Sequence, residues 1–420
     1  MQGTASNNAP DYRIITPHFM IGAVVILLAV ILLFFNPDSL TSHFFNAHLL
    51  ALTHLVSLGW ITMIIFGALY QLIPVILETR LFSETMAIIS LLLLITGTIL
   101  MTSSFWYFNF GFPLLAGGSI ILFSVILFVA NLLGTSLQSE KNTIEKKFIV
   151  TSSIWLLLTC MAGLTLAFNF TFPFLSQSHL DLLKIHAHAG LVGWFIQLII
   201  GVGSKLLPMF MVAHGMKITP LKIAYPAINS GLIIALISEF FVFQAGVITG
   251  IILTLIGILS FLFFLVDAYR LRVRKNLDPG MKQSAIAFFA LLIPIVLIVL
   301  IFAKQKLHTN FITIYGFVLI TGFISSLILG QTYKTLPFII WLKEYRGKMG
   351  KSKIPLPKDL YTDASVLWQT WLFTGGFIIV ATGVMLLQNL LIQAGAGFMI
   401  SGLIIYNFNI FKIIFHKSKN

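Results

Sequence analysis

Residues 54–74 read HLVSLGWITMIIFGALYQLIP, and the same arrangement returns as HAGLVGWFIQLIIGVGSKLLP at 188–208 and as FVLITGFISSLILGQTYKTLP at 317–337. Each copy ends in proline, with glycine seven and fifteen residues earlier and an aromatic residue directly after the first glycine. The copies are 134 and 129 residues apart. A repeat at nearly fixed spacing is the signature of a repeated structural unit, so the sequence predicts three related units.

The chain around these copies has the composition of a membrane protein. Of its 420 residues, 58% are hydrophobic and 9% are charged, whereas soluble domains carry roughly 25% charged residues. A spanning helix needs about 20 mostly apolar residues, and this criterion predicts twelve spans. They are residues 15–35, 44–77, 85–104, 109–134, 149–172, 182–213, 219–243, 246–267, 284–303, 308–341, 364–388 and 390–412.

The repeat and the spans together predict the fold class. We expect an all-α integral membrane protein of twelve transmembrane helices in three pseudo-symmetric four-helix units. The units cover about 15–134, 149–267 and 284–412, and we expect them to form one polytopic membrane domain over residues 1–420. The repeated segments lie in the second, sixth and tenth spans, which are the longest.

The distribution of basic residues predicts the orientation. The net charge is +13, and 21 of the 26 Lys and Arg fall on the side of the amino terminus, against three on the opposite side. By the positive-inside rule both termini are expected in the cytoplasm, with the protein in the cell membrane. The longest cytoplasmic loop is then 344–361, and we expect no nucleic-acid partner. The first thirteen residues lack the pattern of a cleaved signal peptide.

Histidines cluster near the outer ends of the second and sixth spans. They are His48, His54, His186 and His188. Ionisable groups inside a membrane are costly and usually functional, and imidazole is a common ligand of metals and of haem iron. Neighbours two apart on a helix project about 200° apart, so His186 and His188 face different spaces.

These positions predict a ligand set. We expect a haem between the second and sixth helices, bound by His54 and one of His186 or His188, with His48 as a further candidate. For each histidine the alternative is an interfacial, hydrogen-bonded residue, and the same choice applies to His308 at the start of the tenth span.

Four further residues bear on the chemistry. Glu239 is a candidate acceptor for the free ring N–H of a ligating histidine, or a proton carrier, with an interfacial carboxylate as the alternative. Lys205 and Lys334 are expected to extend toward the inner interface. The single cysteine, Cys160, excludes a thiolate cluster and an internal disulfide.

Twelve helices, three four-helix units and outer-end histidines together resemble the haem–copper oxidase subunit I superfamily. The segment HLVSLGWITMIIFGALYQLIPVI is similar to the second helix of divergent relatives, namely cbb-type oxidase subunit I-like and NnrS-like membrane proteins. The resemblance implies haem b, with a second-helix ligand at His54 or His48. The His-x-His pair of the superfamily's tenth helix is missing, because Phe317 stands there, and the pair HAH lies on the sixth helix instead.

The copper centre of the superfamily is also incomplete in this sequence. Its copper needs a histidine on the sixth helix and two adjacent ones near the seventh, and residues 219–243 contain none. Copper is therefore possible but unsupported, and we expect the reductase centre to be missing.

Three functions stay open. The first is a haem-binding membrane protein in electron transfer, nitric oxide response or haem and metal handling, with a redox partner or a small gas ligand besides the lipid bilayer. The alternative is a transporter of a small solute, ion or metal. The third is a divergent terminal oxidase or nitric oxide reductase, which would make the chain an oxidoreductase.

Overall fold

The computed structural model describes residues 10–303, 309–348 and 354–418. Within them, twelve helices are long and apolar enough to cross a membrane. In chain order they are α1 (Tyr12–Phe35), α2 (Ala47–Leu77), α3 (Glu84–Trp106), α4 (Phe112–Leu137), α5 (Ile144–Thr171), α6 (His179–Met211), α7 (Thr219–Phe240), α8 (Gln244–Arg270), α9 (Pro279–Ile301), α10 (Asn310–Lys348), α11 (Asp363–Leu386) and α12 (Asn389–Ile414). The prediction of an all-α, twelve-helix membrane protein is confirmed.

The three repeat-bearing helices are the longest, as predicted. α2, α6 and α10 have 31, 33 and 39 residues. At 1.5 Å per residue they measure about 46 to 58 Å, which exceeds the roughly 30 Å of hydrocarbon in a bilayer. Their ends therefore extend past the apolar layer.

Each of these long helices contains an eight-residue π-helical segment at the same place in the repeat. The segments are Leu55–Thr62, Ala189–Ile196 and Val318–Ser325. Their starts are separated by the same 134 and 129 residues as the sequence copies. Wide π turns are uncommon and occur frequently at functional sites. The repeat in sequence is thus also a repeat in backbone conformation.

The later glycine of each repeat lies where the second helix of a unit crosses the first. A side chain added there would collide with the neighbouring helix. A Cβ on Gly67 would lie 2.6 Å from Cβ of His18, and one on Gly201 would lie 2.8 Å from Cβ of Phe148. A Cβ on Gly330 would lie 2.5 Å from the carbonyl oxygen of Gly280. Small residues let membrane helices approach closely, so the repeated glycine is a packing residue in all three units.

The third and fourth helices of each unit also cross at glycines. A Cβ on the first glycine of each pair would meet the carbonyl oxygen of the second. The pairs are Gly97 with Gly117 at 3.0 Å, Gly231 with Gly250 at 2.7 Å and Gly376 with Gly395 at 2.5 Å. Sequence analysis missed this second repeat, because glycines are frequent in membrane helices and the partners lie on different helices.

Packing divides the chain into two compact units. Unit 1 comprises Met1–Leu72, Thr98–Asn109 and Asp278–Asn420, and unit 2 comprises Ile73–Gly97 and Phe110–Leu277. In unit 1, α12 packs against α1. In unit 2, α4 packs in the same way against α5. The grouping of the three repeat units into one membrane domain stays a prediction.

The loop predicted at 344–361 begins later in the structure. α10 continues to Lys348, while residues 349–353 lie outside the described part of the chain. The indole N–H of Trp341 donates to the carbonyl oxygen of Pro355 at 2.6 Å. This hydrogen bond holds the following chain against the last turns of α10. Hydropathy, from which the loop was predicted, carries no information about such a contact.

Candidate functional site

His54 is the last residue before the first π-helical segment. Its ring is half-buried and stacks on Phe105 of α3, with 5.0 Å between ring centroids and an interplanar angle of 24°. Its Nδ1 lies 2.7 Å from the carbonyl oxygen of Leu50. Because a carbonyl only accepts, Nδ1 carries the proton and Nε2 of the neutral ring carries the lone pair.

His188 occupies the equivalent place before the second π-helical segment. It is half-buried, and its Nδ1 lies 2.9 Å from the carbonyl oxygen of Lys184, four residues earlier. The same argument assigns the lone pair to Nε2. The two repeat-equivalent histidines therefore share one tautomer, set by the same backbone contact.

His186 is placed differently from His188. Its Nδ1 lies 3.0 Å from the carbonyl oxygen of Thr159 in α5. Gly163 of the same helix makes room for it, since a Cβ there would lie 2.7 Å from Cε1 of the imidazole. His186 is thus hydrogen-bonded to α5, whereas His188 shares with His54 a contact to a carbonyl of its own helix.

His48 lies near the start of α2, half-buried beside Trp106. Their ring centroids are 4.5 Å apart, and the planes are tilted by 39°. Such a ring pair is typical of a helix end at a membrane interface. His308 lies outside the described residues.

Glu239 contacts a lysine. Its Oε1 accepts from Nζ of Lys184 at 2.8 Å, and the same ammonium group donates to Asp181 at 2.8 Å. The Glu239 carboxylate also interacts electrostatically with the His188 ring. The predicted role of Glu239 as acceptor of a histidine N–H stays a prediction.

The third repeat carries an aromatic residue at the histidine position. Phe317 precedes the third π-helical segment and stacks on Phe377, with 5.6 Å between centroids. Two of the three repeats therefore offer an imidazole at this place, and the third offers none.

The predicted ligands fall in different compact units. His48 and His54 belong to unit 1, and His186 and His188 belong to unit 2. Their pairing on one haem stays a prediction. Among the described residues, no group of three or more His, Cys, Asp or Glu is placed to hold a metal ion.

Sequence reasoning missed two buried polar features. Lys334 forms an ion pair with Asp278, which directly precedes α9, and their side chains are only 12% and 14% exposed. His18 is fully buried in α1 with its Nε2 unpartnered. One indication of this packing was present in the sequence, because Gly67, which His18 contacts closely in the structure, is a repeated position.

Comparison of the chain with protein-family models gives no match, and comparison with curated proteins gives none either.

Proposed function

We propose that the protein binds haem b in the membrane, with His54 in unit 1 and His188 in unit 2 each offering an axial imidazole, and that it serves electron transfer, response to a small gas such as nitric oxide, or handling of haem. The observation that carries the proposal is the shared geometry of the two repeat-equivalent histidines. Nδ1 lies at hydrogen-bond distance from a backbone carbonyl oxygen in both, at 2.7 Å for His54 and 2.9 Å for His188. Both residues also precede a π-helical segment.

This geometry suits an axial imidazole. Ligating histidines almost always donate their other ring N–H to a carbonyl or a carboxylate, which fixes the tautomer and the ring orientation. Here Leu50 and Lys184 supply those carbonyls. The residues present therefore fit haem iron, and bound haem would supply one-electron chemistry or a site for a diatomic gas.

The surroundings of His54 also favour a porphyrin. Phe105 lies flat against the imidazole. Apolar, aromatic walls exclude water from a haem edge and tune its potential.

A redox spectrum and mutation of the ligands test the proposal. The purified protein should show a Soret band that shifts on reduction, and a pyridine haemochrome of the b type. His54→Ala and His188→Ala should each lower the haem content. His214→Ala, at an exposed histidine in a loop, is the matched control and should leave it unchanged.

Unchanged haem in both ligand variants, or a colourless protein from haem-replete cells, would refute the haem proposal. Oxygen or nitric oxide consumption by the reduced protein would instead favour the terminal oxidase or reductase.

A transporter is the second candidate, favoured by the buried ion pair of Lys334 and Asp278. Lys334 lies on the membrane helix α10, and charged residues on membrane helices commonly mark ion or substrate routes. A colourless protein that is stabilised by one solute would bring this candidate to first place.

A further inference from the structure

The surroundings of His54 in unit 1 are apolar. Leu50 supplies the carbonyl that accepts from Nδ1, and the ring of Phe105 covers the imidazole. Neither neighbour carries a charge.

The equivalent surroundings of His188 in unit 2 are charged. The offset of 134 residues that relates the two histidines also relates Leu50 to Lys184 and Phe105 to Glu239. Lys184 accepts from His188 through its backbone carbonyl, while its ammonium group binds Glu239 and Asp181, each at 2.8 Å. Two carboxylates and one ammonium leave a formal charge of −1 beside this ligand.

Glu239 is the carboxylate that acts on His188. Its side chain is 22% exposed, against 49% for Asp181, so water screens its charge less. Its carboxylate is held at 2.8 Å by Lys184, the residue one helical turn before His188 whose backbone carbonyl accepts from the imidazole.

We propose that Glu239, held by Lys184, is a positioning residue that makes the His188 site favour the oxidised, ferric state of a haem iron ligated there. The inference rests on the proposed function. Ferric haem carries one more positive charge than ferrous haem, and a nearby carboxylate stabilises that charge. At the His54 site the equivalent residues are Leu50 and Phe105, and neither carries a carboxylate.

Potentiometric titration of the detergent-purified protein tests this inference. The haem signal of the site is identified as the one lost in His188→Ala. In Glu239→Gln the preference for ferric over ferrous iron should fall about tenfold, which raises the midpoint potential by about 59 mV for one electron. Asp181→Asn, at the more exposed carboxylate, is the matched control and should shift the potential less.

A variant expected to shift the midpoint potential in the opposite direction separates the charge effect from a folding effect. Lys184→Met keeps the backbone carbonyl that binds His188 but leaves both carboxylates uncompensated, so the potential should fall. Shifts of one sign in Glu239→Gln and Lys184→Met, or no shift in either at unchanged haem content, would overturn the inference. Absence of haem from the unsubstituted protein would refute the proposed function instead.

A second inference comes from the basic ribbon, which we define as residues 211–222 and 268–277 of unit 2. Backbone pairing joins its two segments: Ala213 and Arg272 form an isolated antiparallel bridge, and the N–H of Val273 donates to the carbonyl of Val212 at 3.2 Å. The ribbon contains no Asp or Glu and six cations. These are Lys217, Lys222, Arg270, Arg272, Arg274 and Lys275.

Apolar side chains are exposed between these cations. Val273 is 69% exposed and Ile218 is 51% exposed. The guanidinium of Arg272 lies over the ring of Tyr269, 3.6 Å from its centroid, and its Nε is buried without a partner. Exposed apolar and cationic groups on one ribbon match the headgroup region of a bilayer, where both find partners.

We infer that the basic ribbon binds the phosphate headgroups of anionic phospholipids. Thermal unfolding in detergent measures this with phosphatidylglycerol, phosphatidylcholine or inorganic phosphate added. Phosphatidylglycerol should raise the melting temperature more than phosphatidylcholine, and Arg270→Gln with Lys275→Gln should abolish the difference. Lys147→Gln with Lys358→Gln, at exposed lysines elsewhere, is the control and should retain it. An equal effect of both lipids, or the full effect from inorganic phosphate, would overturn the inference.

Discussion

The indole N–H of Trp60 donates to the hydroxyl of Ser325 at 3.1 Å, joining the first π-helical segment to the third within unit 1. Both residues are fully buried. In the second repeat the equivalent Trp194 is equally buried, yet its indole N–H has no partner. Equivalent positions of the repeat thus carry the same residue with different hydrogen-bond roles.

Trp60→Phe should destabilise the protein more than Trp194→Phe. The first change strands the Ser325 hydroxyl and costs about 1–3 kcal/mol, whereas the second removes a buried donor that bonds to nothing. Thermal unfolding of both variants in the same detergent measures the difference. Equal losses of stability would show that only ring volume matters at these positions.

Adjacent glycines in α11 should respond oppositely to alanine. A Cβ on Gly376 would lie 2.5 Å from the carbonyl oxygen of Gly395, whereas one on Gly375 would meet nothing within 4 Å. Gly376→Ala should cost about 1–3 kcal/mol through overpacking. Gly375→Ala should be neutral or stabilise by up to about 1 kcal/mol through helix propensity. The melting temperatures of the two variants decide, and a stable Gly376→Ala would contradict the close crossing of α11 and α12.

A single substitution in the ion pair between Lys334 and Asp278 should destabilise the protein strongly. Asp278→Asn keeps a side-chain oxygen for the start of α9 but leaves a largely buried ammonium group unpaired, at a cost of about 3–5 kcal/mol. The double variant Asp278→Asn with Lys334→Met should recover most of the loss. Asp181→Ala, in the exposed pair with Lys184, should change stability by less than about 1 kcal/mol. A double variant no more stable than Asp278→Asn alone would mean that the charges are not coupled.

The predicted orientation can be measured with single cysteines in a Cys160→Ala background. Ser176→Cys and Lys275→Cys place exposed thiols in two loops that the twelve helices put on opposite sides. With cytoplasmic termini, a membrane-impermeant maleimide should label intact cells at position 176 and spare position 275. The reverse pattern would invert the predicted topology.

Much of the architecture could be predicted from the sequence, because it depends on local properties. Hydropathy decides which stretches of about 20 residues enter lipid, and the twelve spans followed from it. The spacing of glycine and proline around Gly67, Gly201 and Gly330 identified the repeat. The structure then showed the same register in the π-helical segments, which begin at Leu55, Ala189 and Val318.

The candidate site could be predicted only as a set of residue types. The sequence singled out His54, His186 and His188 and placed the latter two on different faces of one helix. It could not decide between them, because the difference lies in a contact with another helix: the carbonyl of Thr159 binds His186, while His188 is held by its own helix. The charge of Glu239 was visible, but its attachment to Lys184 was not.

The sequence by itself determined the helices, their number and the threefold repeat, since apolar length and residue spacing act within one segment of chain. Only the tertiary structure decided which polar groups are paired, such as Trp60 with Ser325 and Lys334 with Asp278. The physical reason is that a buried polar group is stabilised by a partner on a neighbouring helix, and the residues that neighbouring helices present are distant in sequence.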